Sequence, residues 1–137
     1  MTPDTLADLC ARAYRHLTPW NAAQFADTLA RPEALLTCTD HAFVLGQVIL
    51  DEAEILALAT DPDQQRSGQA SAVLAAFHTQ ARARGAARVF LEVSTDNTPA
   101  LRFYEGQGYR QVGRRKGYYR TGAEQFADAL IMARDLP

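Results

Sequence analysis

The sequence predicts a mixed α+β domain, a mostly antiparallel sheet with helices on both faces and a central β-α-β crossover. Three observations carry this. Two helical segments open the chain. Strand-like runs follow, joined by two-residue links that only antiparallel neighbours can use. Then come a strand, a glycine-containing loop, an amphipathic helix and another strand, the order of a parallel crossover.

Leu6, Leu9, Cys10, Ala13 and Tyr14 recur at helical spacing between Met1 and His16. Thr18-Pro19-Trp20-Asn21 interrupts that pattern, and Asn21 is placed to cap a second helix over Ala22–Leu29, ended by Arg31-Pro32. Ala34–Thr39, Ala42–Leu50 and Glu54–Thr60 read as strands, with turns at Asp40-His41 and Asp51-Glu52. From Gly68 to Arg84 the small and apolar residues Ala70, Val73, Leu74, Phe77 and Ala81 share one helical face, and Gly85 ends it. Arg88–Val93 is the next strand. Pro99–Gln107 is a short helix, with Thr98 as cap and Gly108 as terminator. Tyr109–Tyr119 and Ala127–Ala133 close the chain as two strands.

The 137 residues suit one domain, taken as 1–137. With 47% hydrophobic and 22% charged residues the chain reads as a folded soluble protein, and a net charge of -2 gives no reason to expect nucleic acid as a partner. Its apolar runs are too short to span a bilayer, so no membrane partner is expected. The N-terminus lacks the basic start, apolar stretch and small-residue cleavage site of a signal peptide, which makes the cytoplasm the expected location. Cys10 and Cys38 form no C-x-x-C pair and read as free thiols; His16, His41 and His78 stand at no metal-ligand spacing, so no metal is expected.

The segment Asp61 to Ser71 leaves a strand and opens a helix. Free backbone N–H groups and the positive end of the helix dipole suit a pyrophosphate there. Gly68 and Ala70 allow close backbone approach, and Arg66 offers a charge. No Gly-Lys-Ser/Thr follows, so it is not a Walker loop; the preceding strands are antiparallel and Gly-x-Gly-x-x-Gly is absent, so it is not a dinucleotide fingerprint. Alone, the loop is an anion site or an ordinary helix start.

The series Gln65-Arg66-Ser67-Gly68-Gln69-Ala70 resembles the acetyl-CoA loop of the GCN5-related N-acetyltransferases. So do the strand Ile55–Thr60 with Asp61-Pro62, then Leu91-Glu92-Val93 followed by Asn97, and Ala100-Leu101-Arg102-Phe103-Tyr104-Glu105 ending in Gly108-Tyr109. The resemblance runs from Phe43 to Met132 in the family's order. It is greatest to the ribosomal-protein-alanine N-acetyltransferase branch, through Gln47–Ala53, Arg114-Arg115-x-x-Tyr118-Tyr119, Asp128–Met132 and Pro19-Trp20. The departures are Gln64 where an aromatic residue is common, Ala70 in place of the usual second glycine, Arg120 where the branch often has proline, and Ala127 where a glutamate usually precedes Asp128-Ala129.

The resemblance implies acetyl-CoA as co-substrate, Glu92 as general base and Tyr104 as general acid. Read from the residues alone, Glu92 in an apolar strand either faces solvent or lines a cleft, and Tyr104 is either an acid or a core aromatic packed with Leu101. The resemblance also implies cofactor contacts from Leu58, Ala59 and Thr60, around which it puts a strand bulge whose N–H groups hold an oxyanion. Further implied cofactor contacts are Gln65, Arg66, Ser67, Gly68, Gln69, Ala70, Ser71 and Asn97. Asn97 reads equally as a helix cap. Tyr118 and Tyr119 are implied substrate contacts, or else strand packing. Arg110, Arg114, Arg115 and Lys116 make a basic run, read as a solvated face or as a partner for phosphate or an acidic surface. The implied acceptor is the N-terminal alanine of a small-subunit ribosomal protein, with the enzyme a monomer or weak dimer. The alternatives are a small-molecule amine or protein lysine as acceptor, and a non-catalytic acyl-CoA-binding domain.

Overall fold

The computed structural model describes residues 1–14, 19–65, 67–120 and 126–137. In chain order its elements are α1 (Pro3–Ala13), α2 (Ala22–Leu29), β1 (Ala34–Cys38), β2 (Ala42–Ile49), β3 (Glu52–Thr60), α3 (Gln69–Ala83), β4 (Arg88–Ser94), α4 (Thr98–Gly106), β5 (Arg110–Arg120) and β6 (Phe126–Asp135). The strands form one sheet in the order β1-β2-β3-β4-β6-β5. The β3–β4 pair is parallel, bridged by α3, and the other pairs are antiparallel. This is the α+β architecture the sequence predicts.

Local chemistry sets the helix starts. Asn21 and Gln24 exchange side-chain and backbone hydrogen bonds at 2.9 Å, a reciprocal cap that fixes the start of α2. Thr2 and Thr5 do the same for α1, which ends at Ala13; His16 and Thr18 lie outside the described residues. Most strand ends shift by one or two residues from the sequence reading, β3 starting at Glu52 rather than Glu54 and β6 running to Asp135, and two differences have a local cause. The β2–β3 turn centres on Leu50-Asp51, one residue early, with Leu50 at φ 56°. The cap of α4 is Asn97, whose Oδ1 accepts the Ala100 N–H at 3.3 Å, so Thr98 is already helical. Asn and Thr are both good caps, and spacing alone does not choose between them.

The core has two layers. Val44, Ile55, Leu74, Phe77, Leu91 and Met132 pack between the sheet and α3. Leu6, Phe25, Phe43, Leu45, Ala57 and Ala59 pack on the opposite face under α1 and α2. Ile55 and Ala57 stand two apart on β3, yet they belong to opposite layers. The register explains it: Leu45 pairs with Ala57 and Gly46 with Ile55, so Leu56 is an extra residue. A one-residue bulge moves every later side chain to the other face.

Candidate active site

β3 and β4 pair only at Glu52–Arg88, Ala53–Val89 and Glu54–Phe90. Beyond Glu54 the strands part, just where Leu56 bulges. The gap is a cleft of about 930 Å³, walled by the far halves of both strands, the α3 start, α4 and the β5 tyrosines. The bulge lies at Leu56 rather than around Leu58 to Thr60. The reason is on the facing strand: Gly46 gives β3 room to shift there, whereas Val44 is paired in register with Leu58. Leu58, Ala59 and Thr60 still line the cleft with their strand. Their cleft-side edge has no strand partner, so it can pair with the amides of an extended ligand.

At the far end of the cleft Asp61 leads into a short 3-10 turn, Pro62–Gln64, and Gly68 starts α3 at φ +81°. No side chain caps α3. The first-turn N–H groups of Gln69, Ala70 and Ser71 therefore have no acceptor within the helix and point along its positive end. Gln65, Gly68, Gln69, Ala70 and Ser71 all line the cleft. Ser67 does not; its hydroxyl donates to the Gln64 carbonyl. Arg66 lies outside the described residues. A Cβ on Gly68 would meet nothing within 4 Å, so the approach to the helix start is open. The Thr60 hydroxyl, buried in the cleft wall, has no hydrogen-bond partner among the described residues. Free N–H groups, an open helix start and an orphaned hydroxyl fit a long ligand with a phosphate head and an amide arm, as acetyl-CoA is.

Glu92 and Tyr104 line the same cleft from opposite sides of the sheet. Leu91 and Val93 face the α3 layer, so Glu92 points to the α1 side, whereas Tyr104 on α4 packs in the α3 layer. Tyr104 is 7% exposed, its ring edge-on to Phe103 and Tyr109 at 5.3 and 5.5 Å. Burial raises its phenol pKa well above the ordinary value and keeps the proton on. The Glu92 carboxylate pairs with the Arg115 guanidinium at 3.2 Å. Asn97 lines the cleft while capping α4.

Tyr118 and Tyr119 line the cleft from β5, rings edge-to-face at 5.1 Å. Burial, and then the Glu92 charge, push the Tyr119 phenol up to about 12. A second β-irregularity places them. Arg115 pairs with Ala129 and Tyr119 with Ala127, four steps on β5 against two on β6, so β5 carries two extra residues there. Asp128 clamps this bulge, accepting from Arg114 and, at 2.9 Å, from the N–H of Gly117, which stands at φ +59°. The basic run is thus largely committed to carboxylates: Arg110 to Asp135, Arg114 to Asp128, Arg115 to Glu92.

Sequence reasoning missed two cleft residues. Glu54 stands at the point where β3 and β4 part; burial first, then the Glu92 charge, raise its carboxyl pKa, and Arg115 opposes them. A carboxylate set just before the apolar run Ile55–Ala59 is the signal that marks it. Tyr14, at the end of α1, overhangs β3 between the Cys10 thiol and the Leu58 backbone; burial raises its phenol well above the ordinary value. It reads from sequence as one more apolar helix position.

The model of the acetyltransferase (GNAT) family matches residues 7–109. The [ribosomal protein bS18]-alanine N-acetyltransferase of Escherichia coli strain K12 is 35% identical over 122 residues, covering 86% of this chain and 82% of that protein. The N-alpha-acetyltransferase RimI of Mycobacterium tuberculosis is 33% identical over 138 residues, covering 94% and 84%. The crystal structure of the Escherichia coli ribosomal-protein-S18-alanine N-acetyltransferase superposes with a TM-score of 0.83 at 32% identity, over 95% of this chain and 84% of that one.

Proposed function

This chain belongs to the GNAT acetyltransferase family, and from that premise we propose that its acceptor is the α-amine of an N-terminal alanine on a small-subunit ribosomal protein in the cytoplasm. It is an N-acetyltransferase that takes its acyl group from acetyl-CoA. The observation that carries the transfer chemistry is the presence of Glu92 and Tyr104 on opposite walls of one cleft, with the unpaired edge of β3 between them. The identities of 35% and 33% with the two relatives support the choice of acceptor.

Acetyl-CoA supplies an activated thioester; the residues handle the proton transfers and one developing charge. A free α-amino group titrates at about 7.7–8.0, so at neutral pH the amine arrives mostly as ammonium. Glu92 takes the proton that frees the nitrogen lone pair. Backbone N–H groups beside the Leu56 bulge receive the oxyanion as the nitrogen attacks the acyl carbon. As the oxyanion returns to a carbonyl and the C–S bond breaks, Tyr104 gives its phenolic proton to the departing sulfur; the second proton of the attacking nitrogen is released to solvent, from which Tyr104 recovers its own. Burial keeps the proton on Tyr104 until a thiolate, itself disfavoured in the same water-poor site, forms beside it. Tyr118 and Tyr119 flank the incoming peptide.

The test is free-thiol release from acetyl-CoA by the purified protein with a peptide beginning in alanine. Release with polyamines or internal lysines and none with that peptide would replace the acceptor; release with nothing would favour a non-catalytic binder. Tyr104→Phe should lower kcat more than it raises either KM, and an unchanged kcat would remove Tyr104 from the proton path.

A further inference from the structure

Arg115 is a sequence motif residue that the acetyl transfer leaves without a task, and its placement is elaborate. It opens the β5 bulge that Asp128 clamps from both sides. Its partner across the sheet is Ala129, fully buried and small, so the long side chain can cross β6 toward β4. There the guanidinium meets Glu92 at 3.2 Å and lies 5.2 Å from the Tyr118 ring centroid. Glu54 faces the same spot from β3, near enough for its carboxyl to respond to both charges. Two carboxylates and an aromatic face therefore surround one cation, and that cation belongs to the protein itself.

We propose that Arg115 is a specificity-determining residue: it occupies the place beside Glu92 and Tyr118 that the acceptor's ammonium group must take over. The inference rests on the acetyltransferase reading with Glu92 at the amine. A cationic amine restores the charge that Arg115 gives up when its half-exposed side chain turns out to solvent. A neutral amine does not, and binding it leaves Arg115 competing for Glu92. The subsite thus selects amines that arrive charged. Exposed ion pairs are worth about 0.2–1 kcal/mol, so displacement weakens acceptor binding by only about 1.4- to fivefold and stays within reach of a peptide substrate.

The experiment is steady-state kinetics with the alanine-starting peptide for the wild type, Arg115→Ala and Arg115→Gln, the last keeping side-chain length should the alanine variant fold poorly. Each variant should lower the peptide KM about 1.4- to fivefold and leave the acetyl-CoA KM unchanged. Guanidinium chloride at millimolar level, with sodium chloride as the ionic-strength control, should then raise the peptide KM of Arg115→Ala competitively and affect the wild type less. A residue that merely holds the bulge would instead raise both KM values and respond to neither salt specifically. An unchanged or raised peptide KM in both variants, or equal guanidinium effects on variant and wild type, would overturn the assignment. Failure of the wild type to acetylate the peptide at all would sink the acceptor reading instead, so the two failures are distinguishable.

Discussion

Phe77 fills the space that a side chain at position 46 would need. A Cβ there would fall 2.6 Å from the ring's Cζ and 2.3 Å from the Glu54 carbonyl oxygen. The glycine thus lets α3 press its largest aromatic onto the sheet at the level where β3 bulges. Gly46→Ala should cost about 1–3 kcal/mol, as overpacking of a filled core does. Because the Glu54 backbone must shift with it, the acetyl-CoA KM should rise as well. Urea unfolding and initial-rate kinetics check the two halves, and a variant as stable as the wild type would mean that Phe77 repacks freely.

The layers were legible before the structure because burial writes a period into the sequence. Val73, Leu74, Phe77 and Ala81 mark one face of α3, and Asn21 marks the start of α2. The bulge was not. Leu56 is apolar like its neighbours, and nothing in Ile55-Leu56-Ala57 says that one of them is unpaired; the information sits across the strand, in Gly46 and Phe77. The same limit hid the Arg115–Glu92 pair. It joins β5 to β4 over an intervening strand that comes last in the chain, and only the order β4-β6-β5 brings the two together. Glu54 was visible as a residue, but its role as the neighbour of Glu92 depends on the parallel register of β3 and β4.

Two carboxylates near the amine end raise the question of which one takes the proton. Glu92 is reached from the Tyr118–Tyr119 opening and pairs with Arg115, whereas Glu54 sits at the closed apex where the strands part. Glu92→Gln should therefore lower kcat by roughly 100-fold or more, the usual contribution of a positioned base, with little change in the acetyl-CoA KM. Glu54→Gln should cost less. The reverse order in side-by-side kinetics would transfer the role to Glu54.

Thr60 offers a substitution whose effects on stability and binding have opposite signs. Its hydroxyl is buried without a protein partner among the described residues, so removing it relieves an unmet hydrogen bond. Thr60→Val should leave the melting temperature equal or higher. If the hydroxyl serves the cofactor arm, the acetyl-CoA KM should rise, by about two- to tenfold for one hydrogen bond of 0.5–1.5 kcal/mol. Unchanged binding of acetyl-CoA in calorimetry would separate Thr60 from the cofactor.

His78 contributes a pH dependence to the fold. Arg134 Nη1 faces the ring's Nδ1 at 3.3 Å and donates to it, so the single proton sits on Nε2 and is given to the Tyr109 hydroxyl at 2.6 Å. Arg134 also holds the Gln107 carbonyl at 2.9 Å, which ties α3, β6 and the end of α4 together. Burial and then the Arg134 charge lower the His78 pKa from 6.5 to about 4. A second proton would need Nδ1, the nitrogen that already faces a guanidinium. The unfolded chain takes up that proton as pH falls below 6.5, and the folded chain resists until about 4. The stabilisation is therefore complete above the first value, is lost progressively between the two, and changes no further below the second. His78→Gln keeps a polar side chain that cannot titrate, so its melting temperature should fall by several degrees less than that of the wild type across the same window. Parallel melting curves for the two proteins would show that other groups set the acid limit.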